Sequence, residues 1–110
     1  MLFFKKKKHP KSLSLDVAGT MYRQDALAKC PRDERVLAKL TPEPTNKHDR
    51  NAVKVMIGKN FIGYIPRNES ARVSELIRDD LIEECMCDVW HDSDDGELVA
   101  SVKIKIKETP

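Results

Sequence analysis

The sequence predicts a mainly β (α+β) domain: a small, partly open antiparallel β-barrel of about six strands with two helices. Three observations carry this. Apolar residues alternate with polar ones in short runs, as at Leu13, Leu15 and Val17 and at Val102, Ile104 and Ile106, which is the period of half-buried strands. Turn residues separate the runs, so neighbouring strands are hairpin-linked and antiparallel. A chain of 110 residues buries one modest core, and at that size curling into a barrel protects the sheet edges.

Residues 1–11 read as a flexible basic tail ending near Pro10, and the domain proper as 12–110. Leu13 to Val17 is the first strand, closed by Gly19. Tyr22 to Lys29 contains the helix formers Ala26, Leu27 and Ala28 and stops before Pro31, so it reads as a short helix. Val36 to Leu40 is the second strand, and the prolines of Thr41-Pro42-Glu43-Pro44 remove ladder donors and end its pairing. A polar loop spans 45–51. Ala52 to Ile57 and Phe61 to Ile65 form a hairpin around Gly58-Lys59-Asn60, a three-residue turn with two residues tolerant of positive φ. Pro66 ends it. Asn68 or Ser70 then caps a helix with Val73, Leu76 and Ile77 on one face. Leu81 to Trp90 and Leu98 to Lys107 are the last two strands, joined by an acidic turn with the Asp95-Gly96 signal; Lys103, Lys105 and Lys107 face outward.

Composition narrows the function classes. The net charge of +2 hides an asymmetry: residues 1–11 hold five lysines and no acid. Residues 79–97 hold nine acids and no Lys or Arg. This predicts a basic side, suited to a nucleic-acid partner, and an acidic side away from it. Three cysteines, Cys30, Cys85 and Cys87, make no even disulfide framework and imply a reducing, cytoplasmic setting. Together with His9, His48 and His91 they lack the paired spacing of a zinc site, so no metal or other cofactor is expected. The N-terminal Met1-Leu2-Phe3-Phe4 precedes its lysines, the wrong order for a signal peptide, and no stretch approaches a membrane span. No nucleophilic triad or phosphate-binding glycine loop is recognisable, and the acids at Asp92, Asp94 and Asp95 miss the EF-hand pattern.

The richest stretch is Asn46-Lys47-His48-Asp49-Arg50-Asn51-Ala52-Val53. A loop so dense in hydrogen-bonding groups is costly to order, and loops held by a scaffold are where binding chemistry concentrates. Asp49 is its natural centre. A purely structural role is also open, because Asp and Asn close Asx-turns on their own loops.

Three blocks together resemble the HIRAN domain family. They are Val17-Ala18-Gly19-Thr20-Met21-Tyr22-Arg23, then Glu43-Pro44-Thr45-Asn46-Lys47-His48-Asp49-Arg50-Asn51-Ala52-Val53, then Ile62-Gly63-Tyr64-Ile65-Pro66-Arg67. They stand in the family's order and spacing, and the resemblance covers about residues 13–107. It implies an OB-like β-barrel that binds nucleic acid and is not an enzyme. It implies capture of single-stranded DNA ends through the free 3′-hydroxyl, in repair or stalled-fork processing, alongside a separate helicase or translocase. By position, Asp49 matches the acid that accepts from the hydroxyl and Asn46 the amide beside it; Tyr22 and His48 match aromatic positions that stack on bases; Tyr64 and Arg67 match contacts to the DNA backbone.

Three departures stand out. His48 replaces the usual Tyr or Phe, Lys47 replaces a Pro, and Met21 stands where an Arg is common, with Arg23 nearby as a substitute. Arg23 would point the opposite way from Met21 in an extended strand. Rival structural readings are a core position for Tyr22 or Tyr64, an ion pair of Arg67 with Glu69, and a packing role for Trp90. Two other functions compete: a protein-interaction module using the acidic 79–97 segment, and a metal-dependent hydrolase using the acidic cluster.

Overall fold

The computed structural model describes residues 10–108, so Lys5 to Lys8 of the basic tail and His9 lie outside the described residues. Strand β1 is Ser12–Asp16, followed by a 3-10 turn at Thr20–Tyr22 and helix α1 at Gln24–Ala28. Then come β2 (Val36–Leu37), β3 (Lys39–Pro42), β4 (Val53–Ile57), β5 (Asn60–Tyr64), α2 (Arg67–Arg78), β6 (Ile82–His91) and β7 (Leu98–Ile106). Mainly β with two helices is the class expected.

The strand count and closure differ from expectation. The run Val36 to Leu40 divides at Ala38, whose N–H donates to the Cys85 carbonyl at 2.9 Å. Before it β2 pairs with β6, and after it β3 pairs with β4. One predicted strand thus leaves one sheet and enters another. The described residues form two antiparallel sheets, ordered β1-β7-β6-β2 and β3-β4-β5, with no closed barrel. Pairing also runs past Leu40: Thr41 faces Lys54 and Pro42 faces Val53. A proline is tolerated there because β3 is an edge strand.

The core is aliphatic. Leu27, Val53, Val55, Ile62, Val73, Leu76, Val102 and Ile104 are fully buried, and no aromatic among the described residues joins them. Cys30, Cys85 and Cys87 are buried free thiols, and burial pushes both Cys85 and Cys87 up to about 12. Helix α2 begins earlier than expected. Pro66, not Asn68 or Ser70, occupies the N-cap position and makes no side-chain cap, consistent with the extended φ/ψ a proline readily adopts.

The hairpin turn is two residues rather than three, because Asn60 pairs with Ile57. Gly58 sits at its first central position with φ 58, where a II′ turn needs glycine. The β4–β5 register then slips: Val55 faces Gly63 and Met56 faces Phe61, leaving Ile62 as the extra residue of a bulge. Beyond it the two sheets touch through an isolated bridge. The Ala18 N–H donates to the Tyr64 carbonyl at 2.7 Å, and the Tyr64 N–H returns to the Ala18 carbonyl at 2.9 Å. Gly63 makes that approach feasible. With φ 151, an added Cβ would collide with the Ala18 carbonyl oxygen and lie 2.6 Å from Val17 Cγ1.

Most of the basic tail that suggested one side lies outside the described residues, and the acidic segment is in part interleaved with cations. Antiparallel pairing sets β6 against the lysines of β7. Lys105 Nζ lies 3.2 Å from Glu83, Lys107 Nζ 3.1 Å from Asp80, and Arg35 Nε 3.3 Å from Asp88. Two of the turn's four acids brace it: Asp92 accepts the Asp94 N–H at 2.8 Å and Asp95 accepts the Glu97 N–H at 2.9 Å.

Candidate functional site

The 45–51 loop is tied down at both ends. At its start, Glu43 Oε1 accepts two bonds, from Asn46 Nδ2 at 2.7 Å and from the Tyr64 hydroxyl at 2.8 Å. The Lys54 ammonium stands 3.8 Å from Glu43 Oε2. Asn46 in turn accepts on Oδ1 the backbone N–H groups of His48 at 2.9 Å and Asp49 at 3.0 Å. Its side chain therefore replaces the backbone pairing that a loop lacks.

At the loop's far side stands Asp49, half-buried. Oδ1 accepts the Asn51 N–H at 2.9 Å, which is the Asx-turn anticipated as its structural role. Oδ2 accepts the Ser70 hydroxyl at 2.6 Å, a short charge-assisted bond to the first turn of α2. Ser70 is only 2% exposed, so this polar group depends on its partner. Each carboxylate oxygen keeps a second lone-pair direction. The Ser70 hydroxyl, then the Asn51 N–H, and more weakly the Arg67 charge hold the Asp49 carboxyl below its ordinary value. Glu43 is lowered by its bonds from Asn46 first and Tyr64 second. Tyr64 is raised, by burial first and then by Glu43.

The two lowered carboxyls set an acid limb on stability. Their contribution is present above the unfolded carboxylate range, roughly pH 4, and is lost as pH falls through the lower folded values. The expected outcome is a urea midpoint that holds level from about pH 7 to 5 and falls below about pH 4. Asp49→Asn should flatten part of that fall.

A second region adjoins the first. Gln24 clamps the 3-10 turn to β7: Nε2 donates to the Thr20 carbonyl at 2.9 Å and the Leu98 carbonyl at 2.8 Å, while Oε1 accepts the Leu98 N–H at 2.9 Å. The turn thrusts Tyr22 outward, 82% exposed, so Tyr22 is no core aromatic. Because residues 20–22 turn rather than extend, Arg23 is not carried to a far face as expected. Its guanidinium lies 3.8 Å above the Phe61 ring, a cation–π stack. Phe61 meets Tyr64 edge-on at 5.1 Å. An open groove of about 580 Å³ runs past Met21, Tyr22, Arg23, Lys29, Lys59 and Phe61.

Contacts thus run unbroken from Arg23 through Phe61, Tyr64, Glu43 and Asn46 to Asp49. Tyr22 flanks this chain at one end. At the other, His48 and Arg67 are exposed. Glu69 pairs with Arg72 at 3.5 Å rather than with Arg67. Tyr64, expected to reach a phosphate, has its hydroxyl proton directed to Glu43. Trp90 keeps 43% of its surface exposed and is not buried in packing as expected. Glu43, Ser70 and Phe61 were missed as site residues. Glu43 is a lone acid between two prolines and Ser70 was considered only as a cap, so neither carried a spacing signal.

No group of three or more metal-ligating side chains comes together among the described residues, and no helix there is long and apolar enough to cross a membrane. A family model described as HIRAN domain matches residues 10–107. The crystal structure of the HIRAN domain of human HLTF is similar, with a TM-score of 0.61 and 19% identity over 88% of this chain and 77% of that one. So is a crystal structure of a protein from Lactobacillus plantarum, with a TM-score of 0.57 and 19% identity over 88% of this chain and 99% of that one. At such identities the likeness is one of fold. A search of curated proteins gives no match.

Proposed function

The chain belongs to the HIRAN domain family, a DNA-binding module rather than a catalytic one, and from that premise we propose that it captures the free 3′-hydroxyl end of single-stranded DNA. The observation that carries this reading is a donor and an acceptor left over on one anchored loop. Asn46 spends Oδ1 on two backbone N–H groups and one Nδ2 proton on Glu43, which leaves one N–H. Asp49 receives one bond on each oxygen and retains lone pairs. A hydroxyl accepts from the first and donates to the second. A terminal phosphate only accepts, and its charge is repelled by the carboxylate.

The rest of the strand would follow the groove. Tyr22 offers a stacking face, Arg23, Lys29 and Lys59 offer charge to phosphates, and His48 and Arg67 border the terminal sugar. Few phosphates are engaged, so affinity should fall only gently with salt. Of the nine acids behind the acidic-segment alternative, Asp80, Glu83 and Asp88 are paired within the chain. A repair role beside a separate translocase is part of this proposal.

Fluorescence anisotropy with short single strands ending in 3′-hydroxyl or 3′-phosphate tests it. The hydroxyl strand should bind about 10- to 100-fold tighter, the worth of a charge-assisted hydrogen bond. Tyr22→Ala should weaken both strands alike by about 1–3 kcal/mol, about 5- to 150-fold. Equal, weak binding of both strands by the unmodified protein would end the proposal.

A further inference from the structure

We propose that Glu43 is the positioning residue that makes the loop selective: one carboxylate oxygen fixes the Asn46 amide and withdraws the Tyr64 hydroxyl proton from any ligand. This rests on the end-capture reading above and adds to it the residue that sets the site's polarity. An asparagine amide presents either oxygen or nitrogen to a ligand, and its neighbours decide which. Here Oδ1 faces the His48 and Asp49 N–H groups, and Glu43 holds Nδ2 at 2.7 Å. The remaining Nδ2 proton makes Asn46 a donor. The same Oε1 takes the phenol proton at 2.8 Å. The phenol oxygen then offers lone pairs only, which suit a hydroxyl donor and disfavour a phosphate.

Glu43 also transmits position. Tyr64 belongs to β5 and is locked by the bridge to Ala18. Through Oε1 that rigid strand fixes Asn46, while Asp49 is fixed separately through Ser70 to α2. Donor and acceptor are thus held by two different elements, and the distance between them is preset before a ligand arrives. Such preorganisation raises affinity by removing ordering costs at binding.

Reach, not charge, is the property that matters in this account. Glu43→Gln keeps the side-chain length and a carbonyl oxygen able to accept both bonds. Glu43→Asp keeps the charge but retracts the acceptor by about 1.5 Å, one carbon–carbon bond. Anisotropy with 3′-hydroxyl and 3′-phosphate strands should show Glu43→Gln discriminating within about twofold of the unmodified protein, and Glu43→Asp losing about tenfold in the ratio. The Asn46 side-chain amide resonances should move in Glu43→Asp and stay near their places in Glu43→Gln. Loss of discrimination in Gln with retention in Asp overturns the inference, as does retention in both; end capture then still stands. An unmodified protein that prefers neither strand overturns end capture, and this inference with it. Thermal melts of both variants, with binding read well below the transition, separate selectivity from folding.

Discussion

Gly63→Ala is expected to lower the melting temperature by about 15 °C or more, or to leave the chain unfolded. Two costs add. The left-handed φ of 151 at this residue is open to glycine and strained for alanine, worth about 1–3 kcal/mol. The new methyl would also strike the Ala18 carbonyl and Val17 Cγ1, and overpacking typically costs about 1–3 kcal/mol more. In a domain of this size each kcal/mol moves the midpoint by about 4–8 °C. The backbone cannot retreat without breaking the Ala18–Tyr64 bridge. Gly58→Ala is the control: it also has positive φ, but nothing lies within 4 Å of the added atom. It should cost only about 1–2 kcal/mol. A calorimetric midpoint for Gly63→Ala no lower than that of Gly58→Ala would mean the close approach is not what the glycine serves.

The largest functional effect is expected from Asp49→Asn. The substitution is chosen to preserve the loop. Its amide oxygen can still accept the Asn51 N–H, and its nitrogen can donate to Ser70 Oγ, whose own proton turns to the Arg67 carbonyl 3.0 Å away. What disappears is the negative charge. Preference for a 3′-hydroxyl over a 3′-phosphate should fall about 10- to 100-fold, from loss of a charge-assisted acceptor and relief of repulsion. Competition anisotropy with the two strands measures it directly. An unchanged preference ratio in the folded variant would show that Asp49 serves only its turn and Ser70.

Much of the architecture was legible because it follows from local patterning. Alternation placed β4, β7 and most of β6, and Lys103 and Lys105 face outward opposite buried Val102, Ile104 and Ile106. The breaks came where tertiary contacts decide. Nothing in Val36 to Leu40 signals that its two halves belong to different sheets, since both are extended and only their partners differ. Charge counted along the chain suggested an unbroken acidic side, yet the strand pairing brings Lys105 of β7 within 3.2 Å of Glu83. At the site, the polar loop was identifiable from residue type and Tyr22 from the block that resembles the family, while the exposure of Tyr22 was not. Glu43 and Ser70 were not, because their importance lies in whom they meet 21 positions away: Tyr64 for one, Asp49 for the other.

The Ala18–Tyr64 bridge has a mechanical consequence. Tyr22 is anchored through Gln24 to β7, in one sheet, whereas Asn46 is anchored through Glu43 and Tyr64 to β5, in the other. A strand gripped at both places straddles the seam. In the proposed complex, tension on that strand would be shared by two sheets instead of peeling a single loop.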